Sequence, residues 1–379
     1  MSLKVSSRIT YGNATAVNII GDTDLPEIIF TVAPHGHAEA LWFCFEVIET
    51  EPEKVTASRI KITLKYVRNL AGCNEIQELK PVYQPKGQQW FRMKSGHANI
   101  ASDGQISASW TIPYPAPSTT IAFCYPYGRT ELATMMQKSK GYWHQDSIGV
   151  SQHGRNIIRL SNNYGKTGGN QLGIYIIARQ NAGETPGTWV LDGMLQQFSR
   201  NKKHNFIIWA IPLADIDQII KGDYNKYSAN NLINSWGDNP TRYETVLFQN
   251  DIKEWNQRCK PYLIIDLQSP GGSDTDGIYS LLPDPEQFAE ANKETVAWAN
   301  VFKETLKSDY AADDFKRVTP TTNRMLSDFA RKEINCTAIT LNIPYASCKK
   351  NIMQQKQYRD AGKRIADAIL HRNHKNSNK

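Results

Sequence analysis

Apolar runs in the second half of the chain most constrain its fold. The run from Tyr262 to Ile265 is almost continuous and ends at Asp266, a pattern typical of a strand buried on both faces of a sheet. Strand-like and helix-like segments alternate around it, and we predict strands over 172–178, 205–210 and 337–341 and helices over 184–199, 285–307 and 354–371. This alternation predicts an α/β domain with a mixed, mostly parallel sheet.

The first part of the chain has a different pattern. Up to about residue 130, turn-rich segments separate short β-branched, aromatic or alternating runs such as 27–32, 41–45 and 59–65. No helix is predicted there, and a small antiparallel β-sandwich is the natural architecture. We therefore predict a β-sandwich domain over 1–130 and an α/β/α domain over 131–379. The two are expected to pack directly, because no low-complexity linker separates them.

The composition excludes several classes of protein. Of the 379 residues, 40% are hydrophobic, which suits a globular chain with sizeable cores. No apolar run reaches the roughly 20 residues of a membrane helix, and the N-terminal residues lack the apolar core of a signal peptide. The six cysteines include no CxxC pair, which favours buried free thiols in a reducing compartment. We predict a soluble, cytoplasmic protein with no membrane contact.

The net charge of +7 comes from the C-terminal segment. Nine Lys/Arg and two Asp lie between Lys349 and Lys379, whereas acidic and basic residues balance over the rest of the chain. The excess charge belongs to this helix and tail and forms no body-wide basic footprint, so no nucleic-acid partner is predicted. The segment is either an electrostatic contact for an acidic partner or a solvated helix face.

The most informative motif lies between a predicted strand and a predicted helix, and reads Arg179-Gln180-Asn181-Ala182-Gly183-Glu184-Thr185-Pro186-Gly187-Thr188-Trp189. It resembles the first metal-binding loop of the zinc metallocarboxypeptidases. Further motifs extend the resemblance to the cytosolic carboxypeptidase branch, which carries a β-sandwich before the catalytic domain. They are Ala122–Tyr127, Ile148–Ser151 with Gly154-Arg155, Gly222–Tyr224, Trp236 and Ile264–Leu267.

The resemblance implies a zinc ion held by two histidines and one glutamate, with another glutamate as general base. In this sequence the glutamate ligand is kept as Glu184, which also suits a helix N-terminus as an acidic residue. The two histidine positions read Asn181 and Gln268, and the general-base position reads Asn342. Because zinc prefers imidazole, thiolate and carboxylate ligands, we expect the family's zinc to be absent or weakly bound.

The substrate pocket that the resemblance implies is altered as well. The arginine that would grip a substrate carboxylate falls on Asn225, and the family's Asn-Arg pair falls on Ile233-Asn234 after a one-residue deletion. Lys226 and Arg179 lie beside these motifs and are candidate pocket residues. Lys226 keeps a positive charge that attracts anions.

The sequence leaves three functions open. The first is a catalytically defective cytosolic relative of these peptidases that binds a peptide C-terminus or a protein partner. The second is an active metallocarboxypeptidase that removes C-terminal amino acids with an atypical or weakly held metal. The third is an interaction protein that acts through its sandwich domain or its basic C-terminal segment. The oligomeric state is not predicted.

Overall fold

Strands build the first third of the molecule. The computed structural model describes residues 3–21, 24–51, 53, 57–114, 117–224, 226, 228, 230–283, 289–318 and 324–377. Up to residue 122 its strands are β1 (Leu3–Ser6), β2 (Thr15–Ile20), β3 (Glu27–Thr31), β4 (Cys44–Glu49), β5 (Arg59–Leu64), β6 (Val82–Pro85), β7 (Phe91–Arg92), β8 (His97–Ile100), β9 (Ile106–Pro113) and β10 (Ser118–Ala122). Two short 3₁₀ turns, Val67–Asn69 and Ile76–Glu78, lie between them.

These strands form two five-stranded sheets, in the orders β1-β4-β10-β6-β7 and β2-β3-β5-β9-β8. Alternate residues of β3 are buried, and the rings of Phe30 and Phe45 meet between the sheets with centroids 4.8 Å apart. Every pair is antiparallel except β3 with β5, which the sequence did not predict. The strand between them, β4, lies in the other sheet. The chain therefore crosses to that sheet and back, and β5 enters the sheet of β3 running in the same direction as β3.

Helices and strands alternate after residue 128. The elements are α1 (Arg129–Lys138), β11 (His144–Val150), β12 (Asn156–Ser161), β13 (Leu172–Ala178), α2 (Thr185–Arg200), β14 (Phe206–Ile211), α3 (Ile216–Lys221), α4 (Tyr243–Arg258), β15 (Lys260–Gln268), β16 (Tyr279–Pro283), α5 (Ala289–Leu306), β17 (Lys316–Val318), α6 (Leu326–Phe329), a π-helical turn (Ala330–Ile334), β18 (Ala338–Asn342), β19 (Ser347–Cys348), β20 (Asn351–Ile352) and α7 (Gln355–Ser377). The strands predicted over 172–178, 205–210 and 337–341 and the helix predicted over 184–199 agree within one residue with β13, β14, β18 and α2. The helix predicted over 354–371 extends to Ser377, and residues 285–288 of the remaining predicted helix lie outside the described residues.

An eight-stranded mixed sheet organises this half of the chain. Its order is β11-β12-β14-β13-β15-β18-β16-β17, and the central strands β14, β13, β15 and β18 are parallel to one another. Helix α4 covers one face, where Trp255 packs on Tyr175 with ring centroids 5.8 Å apart. On the other face α2 lies against α7 so closely that a Cβ on Gly362 would meet the carbonyl oxygen of Val190 at 1.9 Å. The predicted α/β fold class is confirmed.

The predicted domain boundary at residue 130 stays a prediction. Backbone hydrogen bonds join the two parts of the chain, with Gly272 N donating to Ala71 O at 3.1 Å and Ser273 N donating to Gly72 O at 3.0 Å. All six cysteines are buried and free of disulfides, as predicted. In the part of the chain that the structure describes, we find no helix with the length and apolar character that a membrane span requires.

Candidate active site

The residues predicted for the active site lie at one edge of the mixed sheet. Parallel strands β13, β15 and β18 are neighbours, so their carboxyl ends meet at this edge. Gln268 and Asn342 end β15 and β18 as direct register partners, and Asn181 and Glu184 lie in the loop after β13. All four side chains are buried. The structure therefore brings together the positions that the sequence motifs predicted.

The loop after β13 begins with a buried arginine. Arg179 has a left-handed backbone conformation, with φ of 62°, and its guanidinium donates to Tyr127 O at 3.0 Å and to Ala182 O. Burial lowers the pKa of Arg179 to about 10. The sequence predicts Arg179 as a substrate-pocket residue; in the structure its charge lies in the protein interior, where it fixes the loop from within.

Glu184 is the last residue before α2, and its side chain is fully buried. Its Oε1 accepts a hydrogen bond from Lys226 Nζ at 2.9 Å and a longer one from Asn181 Nδ2 at 3.5 Å. Burial raises the pKa of Glu184, and the adjacent Lys226 ammonium partly offsets the rise. The other oxygen, Oε2, has no hydrogen-bond partner among the residues that the structure describes. Glu184 therefore forms a buried ion pair.

The amide of Asn181 turns its nitrogen, not its oxygen, toward Glu184, and the amide of Gln268 is bound to Asp266. Asn181 Oδ1 accepts from Gly183 N at 3.2 Å, which directs the amide nitrogen toward the carboxylate. Gln268 donates its Nε2 to Asp266 Oδ2 at 2.6 Å. These contacts assign the amide orientations from the surrounding donors and acceptors. Asn181 and Gln268 thus each stabilise their own segment.

A buried polar network that the sequence did not predict lies behind the site. Trp236 Nε1 donates to Gln180 Oε1 at 2.7 Å, and Gln180 Nε2 donates to Asp266 Oδ1 at 2.8 Å. Burial raises the pKa of Asp266 to about 7, although hydrogen bonds from Gln180 and Gln268 act in the opposite direction. The contact between Asp266 and Gln268 could have been predicted from their spacing, because residues two apart on a strand lie on the same face of the sheet.

Comparison with known proteins identifies the fold and the relatives of this chain. No family model matches it. Cytosolic carboxypeptidase 2 of Xenopus tropicalis is 27% identical over 256 residues, which are 59% of this chain and 25% of that protein. Cytosolic carboxypeptidase 1 of Gallus gallus is 22% identical over 370 residues, which are 84% of this chain and 28% of that protein. The chain is similar in sequence to cytosolic carboxypeptidases.

The fold agrees with this relationship. A metallo-carboxypeptidase from Burkholderia cenocepacia superposes with a TM-score of 0.75 over 98% of both chains, at 16% sequence identity. The curated relatives are longer proteins, since the chain spans only 25 to 34% of their length. The resemblance that the sequence motifs predicted is thereby confirmed, and the α/β half of the molecule has the metallocarboxypeptidase arrangement of strands and helices.

The donor atoms of the site do not fit the family's zinc. Zinc is held by imidazole, thiolate and carboxylate groups, and no group of three or more His, Cys, Asp or Glu side chains in the described ranges could hold a metal ion. The retained Glu184 is already paired with an ammonium group, and Asn181 offers it an N–H donor. Asn342, at the position where the resemblance predicts the general base, has a buried Oδ1 without a partner among the described residues. An amide does not gain or lose a proton near neutral pH and cannot act as a general base.

The predicted substrate stretch is only partly described. Asn225 lies outside the described residues, and Asn234 is exposed. A cavity of about 130 Å³ borders this stretch. Two side chains that line it contact internal carboxylates: His153 Nδ1 lies 2.9 Å from Asp217 Oδ2, and Arg242 Nη2 lies 3.2 Å from Asp215 Oδ1. Such a cavity is smaller than the 300 Å³ or more that is typical of small-molecule sites.

The basic C-terminal segment forms much of α7. Arg359 Nε pairs with Asp192 Oδ1 at 2.8 Å, and Arg372 Nη2 pairs with Glu294 Oε1 at 2.6 Å. Arg364 Nη1 pairs with Asp309 Oδ2, just after α5, at 2.7 Å. Three of its positive charges thus pair with carboxylates of the same chain, which leaves fewer of them for an acidic partner.

Proposed function

We propose that this chain is a catalytically defective metallocarboxypeptidase-like protein that acts by binding a peptide C-terminus or a protein partner. One observation carries the proposal. The single carboxylate kept from the metal-binding motif, on Glu184, is bound by the ammonium of Lys226 at 2.9 Å. A cation already neutralises the charge that would hold a catalytic metal, and amides stand where imidazoles are needed.

The chemistry of hydrolysis supports the same proposal. A metallopeptidase needs a metal-activated water and a group that transfers protons in the transition state. Asn342 provides no such group, and Gln268 is held by Asp266 through a hydrogen bond of 2.6 Å. Beside the nearby cavity, the guanidinium of Arg242 is already paired with the internal carboxylate of Asp215. A cytoplasmic location is a further proposal, supported by the names of the similar proteins.

A second candidate is an active carboxypeptidase with an atypical, weakly held metal. Glu184 Oε2 and Asn342 Oδ1 favour it, because they are buried acceptors without a partner among the described residues. Hard ions such as Mg²⁺ and Ca²⁺ accept carboxylate and amide oxygens, but they require six or more ligands. The two acceptors supply few of these, which makes this candidate the weaker one.

Metal analysis of the purified full chain tests the two candidates. The wild-type protein and a Glu184→Gln variant are incubated with zinc, desalted and assayed for bound metal. Both are then incubated with peptides that end in acidic or neutral residues, and released amino acids are measured. We expect equal, substoichiometric zinc and no release from either protein. About one zinc per wild-type chain, lost in the Glu184→Gln variant together with a peptidase activity, would instead establish the second candidate.

A further inference from the structure

The ammonium group of Lys226 lies at the centre of the altered site. We propose that Lys226 is the resident cation of this site and that it excludes a divalent metal from Glu184. This inference rests on the proposed function, since it concerns the same pocket. It goes further in assigning a role to one side chain that none of the sequence motifs includes: Lys226 takes over the charge-neutralising part of the metal's role.

Lys226 is held in place by contacts at both ends of the residue. Its backbone carbonyl accepts a hydrogen bond from Asn231 Nδ2. Its Nζ donates to Glu184 Oε1 at 2.9 Å and to the backbone carbonyl of Ser269. Glu184 precedes α2 and Ser269 follows β15 directly, so one ammonium group links the two segments whose side chains would supply metal ligands in the family.

The pairing also satisfies the electrostatic requirement of a buried carboxylate. The Glu184 side chain is fully buried, while that of Lys226 is 18% exposed. A buried carboxylate is strongly disfavoured unless a positive group and hydrogen bonds compensate its charge. Arg179 is the other buried cation nearby, but it donates its hydrogen bonds to the carbonyl oxygens of Tyr127 and Ala182. Lys226 is therefore the direct counter-ion.

A zinc ion and this ammonium group compete for the same carboxylate. Zinc would lie about 2.0–2.2 Å from its carboxylate oxygen, a place near Oε1 that Lys226 Nζ blocks from 2.9 Å. A metal ion on Oε2 would share the Glu184 carboxylate with the Lys226 ammonium on Oε1. The positive charges of the ion and the ammonium would then lie close together in a buried site, where they repel strongly. Restoring the two imidazoles is therefore insufficient to restore a metal site while Lys226 remains.

Two engineered proteins test this competition directly. One carries Asn181→His and Gln268→His, and the other carries the same pair with Lys226→Met, which keeps an unbranched side chain of similar length. Zinc affinity is measured for both by competition with a chromophoric chelator. We expect the protein that retains Lys226 to bind zinc at least about 100-fold more weakly. Equal affinities, or tighter binding with Lys226 present, would overturn the inference.

A second measurement does not depend on any metal and decides the case in which neither protein binds zinc. Thermal unfolding midpoints are compared for the wild type, Lys226→Met, Glu184→Gln and the double variant. If the ion pair is formed, each single substitution lowers the midpoint, and the double variant loses less than the two losses combined. Strictly additive losses would refute the pairing on which the inference rests.

The outcomes separate this inference from the proposed function. Peptide hydrolysis by the wild-type chain would contradict the proposed function, but it would leave a measured coupling between Lys226 and Glu184 intact. Conversely, additive unfolding losses with an inactive wild type would refute the role of Lys226 alone. The full chain is used throughout, because the described residues of its two parts are joined by backbone hydrogen bonds.

Discussion

The hydrogen bond from Trp236 to Gln180 gives the most sharply testable prediction about the network behind the site. The Trp236 side chain is 2% exposed, and its Nε1 donates to Gln180 Oε1 at 2.7 Å. Its indole also packs on Phe329, with ring centroids 5.7 Å apart. The substitution Trp236→Phe keeps an aromatic ring in this packing, but it removes the donor and leaves the Gln180 oxygen without its partner.

The expected loss of stability has two parts. A buried acceptor that loses its donor destabilises the fold by about 1–3 kcal/mol. The smaller phenyl ring leaves a cavity that adds on the order of 1 kcal/mol. We therefore expect Trp236→Phe to lower the free energy of unfolding by about 2–4 kcal/mol. This loss of stability comes from the region around Trp236, since the substitution breaks one hydrogen bond, to Gln180, and leaves one cavity.

Trp255 provides a matched control. It is 0% exposed and packs on Tyr175, but its Nε1 has no hydrogen-bond partner among the described residues. Trp255→Phe removes the same atoms and leaves a similar cavity without breaking a hydrogen bond. We expect it to lower the free energy of unfolding by only about 1 kcal/mol. Because Trp255→Phe also removes a buried N–H without a partner, the difference between the two variants is an upper limit for the contribution of the hydrogen bond to Gln180.

Urea unfolding followed by far-UV circular dichroism measures both variants without relying on tryptophan fluorescence. The slopes of the transitions should stay unchanged, so that the shift in midpoint reports stability. A Trp236→Phe variant no less stable than Trp255→Phe would refute the reasoning. It would mean that the network from Trp236 to Asp266 does not hold the site in the arrangement described above.

Three further predictions concern pH, packing and thiols. Burial raises the pKa of Asp217, but hydrogen bonds from three neighbouring side chains outweigh this effect and hold the pKa below its usual range. The stability that this group contributes is therefore present above its unfolded pKa of about 3.9 and is lost as pH falls through the lower folded value. The stability deficit of Asp217→Asn in denaturant titrations should accordingly shrink below about pH 4. Gly187→Ala should destabilise the fold by about 1–3 kcal/mol in urea unfolding, because the new Cβ would lie 2.7 Å from Leu267 O. All six cysteines are buried, so a thiol reagent should react with them only after unfolding, and rapid reaction of the native protein would contradict this.

The fold was largely predictable because its strongest signals are local. The apolar run that became β15 and the periodic segment that became α2 can each be identified from consecutive residues. Helix α4 was not predicted, because its helical pattern is weak and many of its residues are polar or charged. The parallel pairing of β3 with β5 was also missed, since it depends on which sheet receives β4. Such a choice is made by tertiary packing and leaves no local pattern.

The site was predictable in position but not in its interactions. Strand ends and motif order were enough to bring Asn181, Gln268 and Asn342 to one edge of the sheet. The direction of each amide was not predictable, because it depends on distant donors and acceptors such as Asp266. Lys226 was identified only as a charge near the pocket. Its pairing with Glu184 joins residues 42 positions apart, and no sequence spacing encodes that contact.

The amides at the histidine positions and the lysine beside Glu184 are best understood as one linked set of changes. Removal of a divalent ion alone would leave Glu184 as a buried, uncompensated carboxylate, which is strongly unfavourable. An ammonium at 2.9 Å restores the balance with a single positive charge, and neutral amides at Asn181 and Gln268 add no second one. A histidine introduced at either position would approach the ammonium with a group that becomes cationic at mildly acidic pH. Any return to a metal site therefore has to begin with the replacement of Lys226.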